Sequence, residues 1–113
     1  MSECLFCQIA SKQIPAKIHF ENDDFVAFED INPKAIVHLL IVPKKHYDAM
    51  SSLKDKDTGM LGKLLNTARI VAEQEGIAQS GYRLVINSGK DSGMEVDHLH
   101  LHLLGGSQLN AIN

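Results

Sequence analysis

Tryptophan is absent from this chain, and aromatic residues are few, four Phe and two Tyr, so its core must be mainly aliphatic. Nowhere does an apolar run approach the ~20 residues that span a bilayer. Met1-Ser2-Glu3-Cys4 has neither a basic start nor an apolar stretch, so no secretory signal is read there. A cytoplasmic protein is therefore expected, with no membrane partner. An excess of positive charge is also missing. Eleven Lys and Arg against fourteen Asp and Glu give a formal charge of −3, which excludes a general attraction for nucleic acid. Any phosphate chemistry must come from a local site. With 113 residues, 44% of them hydrophobic, residues 1–113 fit a single domain with a real core. The two cysteines, Cys4 and Cys7, are spaced C-x-x-C at the extreme N-terminus. A reducing compartment disfavours a structural disulfide there, and no βαβ unit precedes them to suit a thioredoxin-like motif.

What is there reads as an α+β chain. Phe6 to Ala10 suits a short helix, and Lys17–Glu21 and Phe25–Glu29 two strands joined tightly by Asn22-Asp23-Asp24. His38 to Val42, stopped by Pro43, is apolar enough for a central strand buried on both faces. One long helix is expected over Lys56–Glu75. Its apolar stripe is Leu61, Leu64, Leu65, Ala68, Val71 and Ala72, with Asp55 or Asp57 capping its start and Gly76 ending it. Strands over Tyr82–Asn87 and His98–Leu104 complete an antiparallel sheet of about five strands.

His98-Leu99-His100-Leu101-His102-Leu103-Leu104 carries the chemistry. On a strand, alternate side chains face opposite ways, so three leucines point to the core and three imidazoles to the other face. A lone histidine such as His19 is read as an ordinary surface residue. Three at strict period two call for a function. Two readings remain open from the residues themselves. H-x-H can be a metal-ligand pair. Alternatively, one neutral imidazole is a nucleophile whose neighbours fix its tautomer.

The segment resembles the signature of the histidine triad (HIT) superfamily. The likeness extends to Ile14-Pro15-Ala16-Lys17, Phe28 to Pro33, Val42-Pro43-Lys44-Lys45-His46, Gly81-Tyr82-Arg83, Asn87 and Leu104-Gly105-Gly106, and is similar to the Hint branch, the purine nucleoside phosphoramidases. That resemblance implies a homodimeric hydrolase of purine nucleoside 5'-phosphoramidates, with helix Lys56–Glu75 and strand Tyr82–Asn87 at the interface and no organic cofactor. His100 would be the nucleophile that carries a nucleotidyl group. His102 would assist the leaving group, and His98 and the fourth histidine, His38, would complete a relay. Asn87 would lie near the phosphate and Asp30 would accept the ribose hydroxyls. Phe6, Ile9, Phe28 and Ile31 would wall the base pocket, four residues that would otherwise be ordinary core. Rival readings are a dinucleoside polyphosphate hydrolase of the same superfamily, a non-catalytic purine-nucleotide-binding module, and a zinc sensor or carrier.

Two departures from the family pattern bear on specificity. Met94 and Glu95 stand where relatives commonly carry Gln and often Ser or Thr, and only seven residues, Ser107 to Asn113, follow Gly106. The cysteines also match a habit of some bacterial members, which bind structural zinc. The corresponding set here is Cys4, Cys7, His46 and His98.

Overall fold

The computed structural model describes residues 4–112. Met1–Glu3, read above for a targeting signal, and Asn113 at the end of the tail lie outside the described residues. Helix α1 is Leu5–Ala10. Strands β1 (Ile18–Glu21), β2 (Phe25–Glu29) and β3 (Val37–Pro43) follow, then helix α2 (Thr58–Gln74) and strands β4 (Tyr82–Val85) and β5 (Leu101–Gly105). All neighbours pair antiparallel, in the order β1-β2-β3-β5-β4, so the apolar β3 is central as expected. No helix among the described residues is long and apolar enough to cross a membrane.

Local chemistry explains the connections. The Asn22 side-chain oxygen accepts from the backbone N–H of Asp24 (2.9 Å) and Phe25 (2.8 Å), which folds the β1–β2 hairpin. A register shift between Ile18 and Phe20 places an extra residue, His19, on β1. This bulge breaks the two-residue alternation, so Ile18 packs on one side of the sheet and Phe20 on the other. His19 is not an idle surface residue. Its ring joins Glu29 on β2 (2.7 Å) to Glu75 beyond α2 (2.9 Å).

Two apolar layers cover the sheet. Leu64, Ala68, Val71 and Ala72 of α2 pack on Phe25, Ala27, Leu39, Ile41, Leu99, Leu101 and Leu103. On the opposite face Phe6 and Ile9 of α1 pack on Val26, Phe28, Leu40 and Val42. Three expectations need correction. Leu65 is 46% exposed and lies outside the buried stripe. Asp57 precedes α2 but does not cap it with its side chain. Its carboxylate accepts from Lys54 N–H (2.9 Å), closing a 3-10 turn over Asp55–Asp57 from which α2 starts late. The last two strands are shorter than read, because β4 stops at Val85 and β5 begins only at Leu101, leaving His98 and His100 in the segment leading into the ladder.

Gly105 and Gly106 close β5 at a corner where a side chain would be crowded. A Cβ on Gly105 would lie 2.9 Å from Ile77 Cδ1. Gly106 adopts φ +91°, and a Cβ there would meet Ile36 Cβ at 3.0 Å and Val37 N at 3.3 Å. Gly106→Ala is expected to lower unfolding free energy by about 2 kcal/mol in urea titration, combining left-handed strain with crowding. An unchanged midpoint would show that this corner relaxes freely.

Candidate functional site

The alternation of His98 to Leu103 survives although the strand starts late. Leu99, Leu101 and Leu103 enter the α2 core, and the histidines face α1. A cavity of about 860 Å³ opens on that face, large enough for a small-molecule ligand. His38, His100 and His102 line it, together with Asp30, Asn87, Phe6, Ile9, Phe28 and Ile31. Phe6, Ile9 and Phe28 are core and cavity wall at once, whereas Ile31 is 91% exposed and stands at the rim. Gly93, Glu95 and Val96 contribute the wall just before the triad, and Lys17, Glu29, Lys34, Val85 and Leu104 also line the cavity. His98 does not line it and is fully buried behind it.

Hydrogen bonds assign the tautomers. His100 Nδ1 lies 2.7 Å from the His98 carbonyl oxygen, which can only accept. Nδ1 therefore carries the hydrogen in the neutral ring, and Nε2 keeps its lone pair on the cavity side. His38 Nδ1 accepts from Lys34 N–H at 2.9 Å, so its Nε2–H donates to His102 Nδ1 at 3.0 Å. The neutral His102 then carries its own hydrogen on Nε2. One bare nitrogen and one N–H donor thus stand side by side, with ring centroids 5.0 Å apart. Asp30 sits beside this relay. One carboxylate oxygen accepts from Asn32 N–H (2.8 Å), and the other is 3.5 Å from His38 Nε2.

Burial keeps the relay neutral. It lowers the His38 pKa from its ordinary value, against the opposing pull of Asp30. Burial, followed by the neighbouring His100 and His38, brings that of His102 down to about 4. Asp30, His38 and His102 lie close enough to resemble a metal-ligand trio, but the shared His38–His102 proton already accounts for their approach.

A second cluster joins Cys4, Cys7, His46 and His98. His98 Nδ1 is 3.3 Å from Cys4 Sγ, 3.5 Å from Cys7 Sγ and 3.1 Å from His46 Nδ1, which is itself 3.3 Å from Cys7 Sγ. The far nitrogen of each ring donates to an acceptor, His98 Nε2 to the Pro43 carbonyl (2.9 Å) and His46 Nε2 to Asp48 (2.8 Å). Rings so tied turn their Nδ1 atoms toward each other and toward the two sulfurs, an arrangement that a cation among them satisfies. These separations are close to the edges of a tetrahedral zinc site, about 3.3–3.8 Å for Cys and His ligands. The four residues therefore fit a metal ion. Asp48 was missed in the sequence, although a carboxylate two residues after a candidate ligand histidine is a recognisable signal.

The family described as scavenger mRNA decapping enzyme C-term binding matches residues 3–111. A solved structure of a HIT family hydrolase from Legionella pneumophila is 47% identical, with 96% of each chain covered and a TM-score of 0.93. This chain belongs to the histidine triad family. Other histidine triad relatives include an adenylylsulfatase, HINT1, from Arabidopsis thaliana, 43% identical over 96% of this chain and 75% of its own. A purine nucleoside phosphoramidase from Escherichia coli K12 is 40% identical over 95% and 90%.

The depressed His102 pKa gives the stability of this histidine triad protein a pH signature. Below pH 6.5 an unfolded His102 takes up a proton, whereas the folded one resists until about 4. Its contribution to stability should thus fall across that window and level off below it. His19 works in the opposite sense, because its bonds to Glu75 and then Glu29 raise its pKa. Its contribution is fully present below 6.5 and lost as pH rises through the raised value. Comparison with His102→Gln isolates the first effect. The melting temperature of wild type relative to the variant should drop steadily between pH 7 and 4.5, and a constant difference would contradict a neutral, part-buried His102.

Proposed function

We propose that this chain hydrolyses purine nucleoside 5'-phosphoramidates to the nucleoside monophosphate and an amine, through a nucleotidyl group held on His100. The observation carrying this reading is the pinned His100 tautomer, which leaves Nε2 bare at the cavity beside the His102 N–H. His100 Nε2 attacks the α-phosphorus, and the P–N bond to the leaving amine breaks. The substrate's phosphate charge draws a proton onto the His38–His102 pair, which His102 Nε2 passes to the departing nitrogen. Water then attacks phosphorus, breaks the P–Nε2 bond, and returns a proton to the pair. Asp30 accepts the ribose hydroxyls, Asn87 contacts the phosphate, and Phe6, Ile9, Phe28 and Ile31 flank the base. The names of the Escherichia coli and Arabidopsis relatives support nucleotide hydrolysis.

Glu95 favours an amine over a polyphosphate leaving group. Its carboxylate is exposed on the cavity wall, with no hydrogen bond or ion pair among the described residues, and opposes a further anion there. A cytoplasmic homodimer completes the reading. Exposed Leu65 on α2 and Leu84 on the edge strand β4 offer apolar surface for a second copy. Zinc on Cys4, Cys7, His46 and His98 would be structural, since protein fills all four positions.

His100→Ala should reduce kcat for adenosine 5'-phosphoramidate by about a thousandfold or more while retaining AMP binding in calorimetry. Substantial turnover in that variant would sink the nucleophile assignment, and binding without useful turnover in wild type would leave a nucleotide-binding module. Glu95→Gln should raise kcat/KM for a dinucleoside polyphosphate by about three- to tenfold, and that for the phosphoramidate much less. Equal changes for both substrates would remove Glu95 as a selector. Light scattering should give twice the chain mass at micromolar concentration, and a clean monomer would oppose the dimer.

A further inference from the structure

His98 serves two clusters with different parts of one residue. Its ring belongs to the Cys4, Cys7 and His46 group, while its carbonyl oxygen holds His100 Nδ1. The sheet does not fix that carbonyl, because β3–β5 pairing begins only at Ile41 and Leu101. What holds His98 is a short list: its N–H to the Val96 carbonyl (2.8 Å), the Leu99 N–H to the Tyr47 carbonyl (2.7 Å), its ring to Pro43, and the cysteine–histidine cluster. The same six-residue helix that carries Cys7 also turns Phe6 edge-on to both imidazoles, at 6.0 Å from His98 and 5.1 Å from His100.

We propose that Cys4, Cys7 and His46 are positioning residues for His100, acting through a shared metal ion on the His98 ring and so on its backbone carbonyl. None of the three lines the cavity. With the ion lost, the two Nδ1 atoms 3.1 Å apart and the sulfurs 3.3 Å from them must share protons in place of a cation, a looser set of contacts. The His98 ring turns, its carbonyl moves, and His100 samples the tautomer with its lone pair on the wrong nitrogen. A displacement of about 1 Å at a reacting group is sufficient to cost up to a hundredfold in rate. Substrate affinity suffers less than turnover, because Asp30, Phe28 and Ile31 lie on other elements and only Phe6 and Ile9 share α1 with Cys7. The turnover part of this inference rests on the phosphoramidase reading, whereas the state of the His100 ring does not.

The test uses the full chain as purified, after stripping with a chelator, and after reloading with Zn²⁺ or Co²⁺. His46→Ala and Cys7→His are examined beside it. Metal content and Co²⁺ absorption report the site, two-bond ¹H–¹⁵N spectra report the His100 tautomer, and kcat, KM and AMP affinity report function. Stripped protein and His46→Ala should remain folded, show mixed His100 tautomers and lose about tenfold or more in kcat, with KM and AMP affinity changing by less than about threefold. Zinc should restore the stripped wild type but not His46→Ala. Cys7→His, which keeps four ligands, should retain metal, the single tautomer and near-normal kcat. An unchanged His100 spectrum after metal removal overturns the proposal, as does wild type that binds no metal. Global unfolding of the stripped chain also overturns it, because the metal then supports the whole fold and not one carbonyl. If wild type turns over no phosphoramidate, the functional reading fails separately and the ring spectrum still decides this one.

Discussion

The 2.7 Å hydrogen bond from His100 Nδ1 to the His98 carbonyl is the interaction on which the site turns. An imidazole has one lone pair to offer when neutral, and whatever occupies one nitrogen decides what the other can do. Here the occupant is a backbone atom two residues away, set where the chain is about to enter the sheet. A side-chain acceptor could rotate out of place. A carbonyl moves only with its own peptide plane, so the assignment is as firm as the local backbone.

Six histidines in this chain show how strongly surroundings govern one residue type. His38 and His102 are held neutral by burial and share a proton. His19, on an exposed bulge, is drawn toward the charged form by two glutamates. His46 and His98 turn their Nδ1 atoms toward cysteine sulfurs. The difference lies in what each ring can touch, set by which face of which element bears it.

Much of this was legible in sequence because it depends on period two. Alternation at His98 to Leu103 marked both the core face and the face toward the cavity, and the apolar run before Pro43 marked the central strand. The four-residue cysteine–histidine set followed from likeness to relatives, and the structure brings those residues together. Less legible was anything fixed by backbone partners. Nothing in the letters says that His98 is sealed behind the cavity, that the Pro43, Tyr47 and Val96 carbonyls surround it, or that β5 begins three residues late. The bulge at His19 was equally hidden, since a register shift is decided by the packing of Ile18 and Phe20 on opposite faces. Ile31 looked like a wall residue by type, yet the turn after Asp30 carries it into solvent.

The interleaving of leucine and histidine has a consequence for how such a chain can change. One inserted or deleted residue between Val96 and Gly106 would exchange the two faces, pressing imidazoles into the α2 layer and leucines into the cavity. Two residues would restore the faces but move every ring by a full repeat away from His38 and Pro43. Substitution is thus the only route of variation open to this stretch, and length drift is confined to the turns elsewhere. The segments around Ser88–Gly93 and beyond Gly106 border the cavity and the edge strand without sharing that reading frame. Diversification by insertion is channelled to those places, where a longer loop can reshape what enters while the imidazoles keep their spacing.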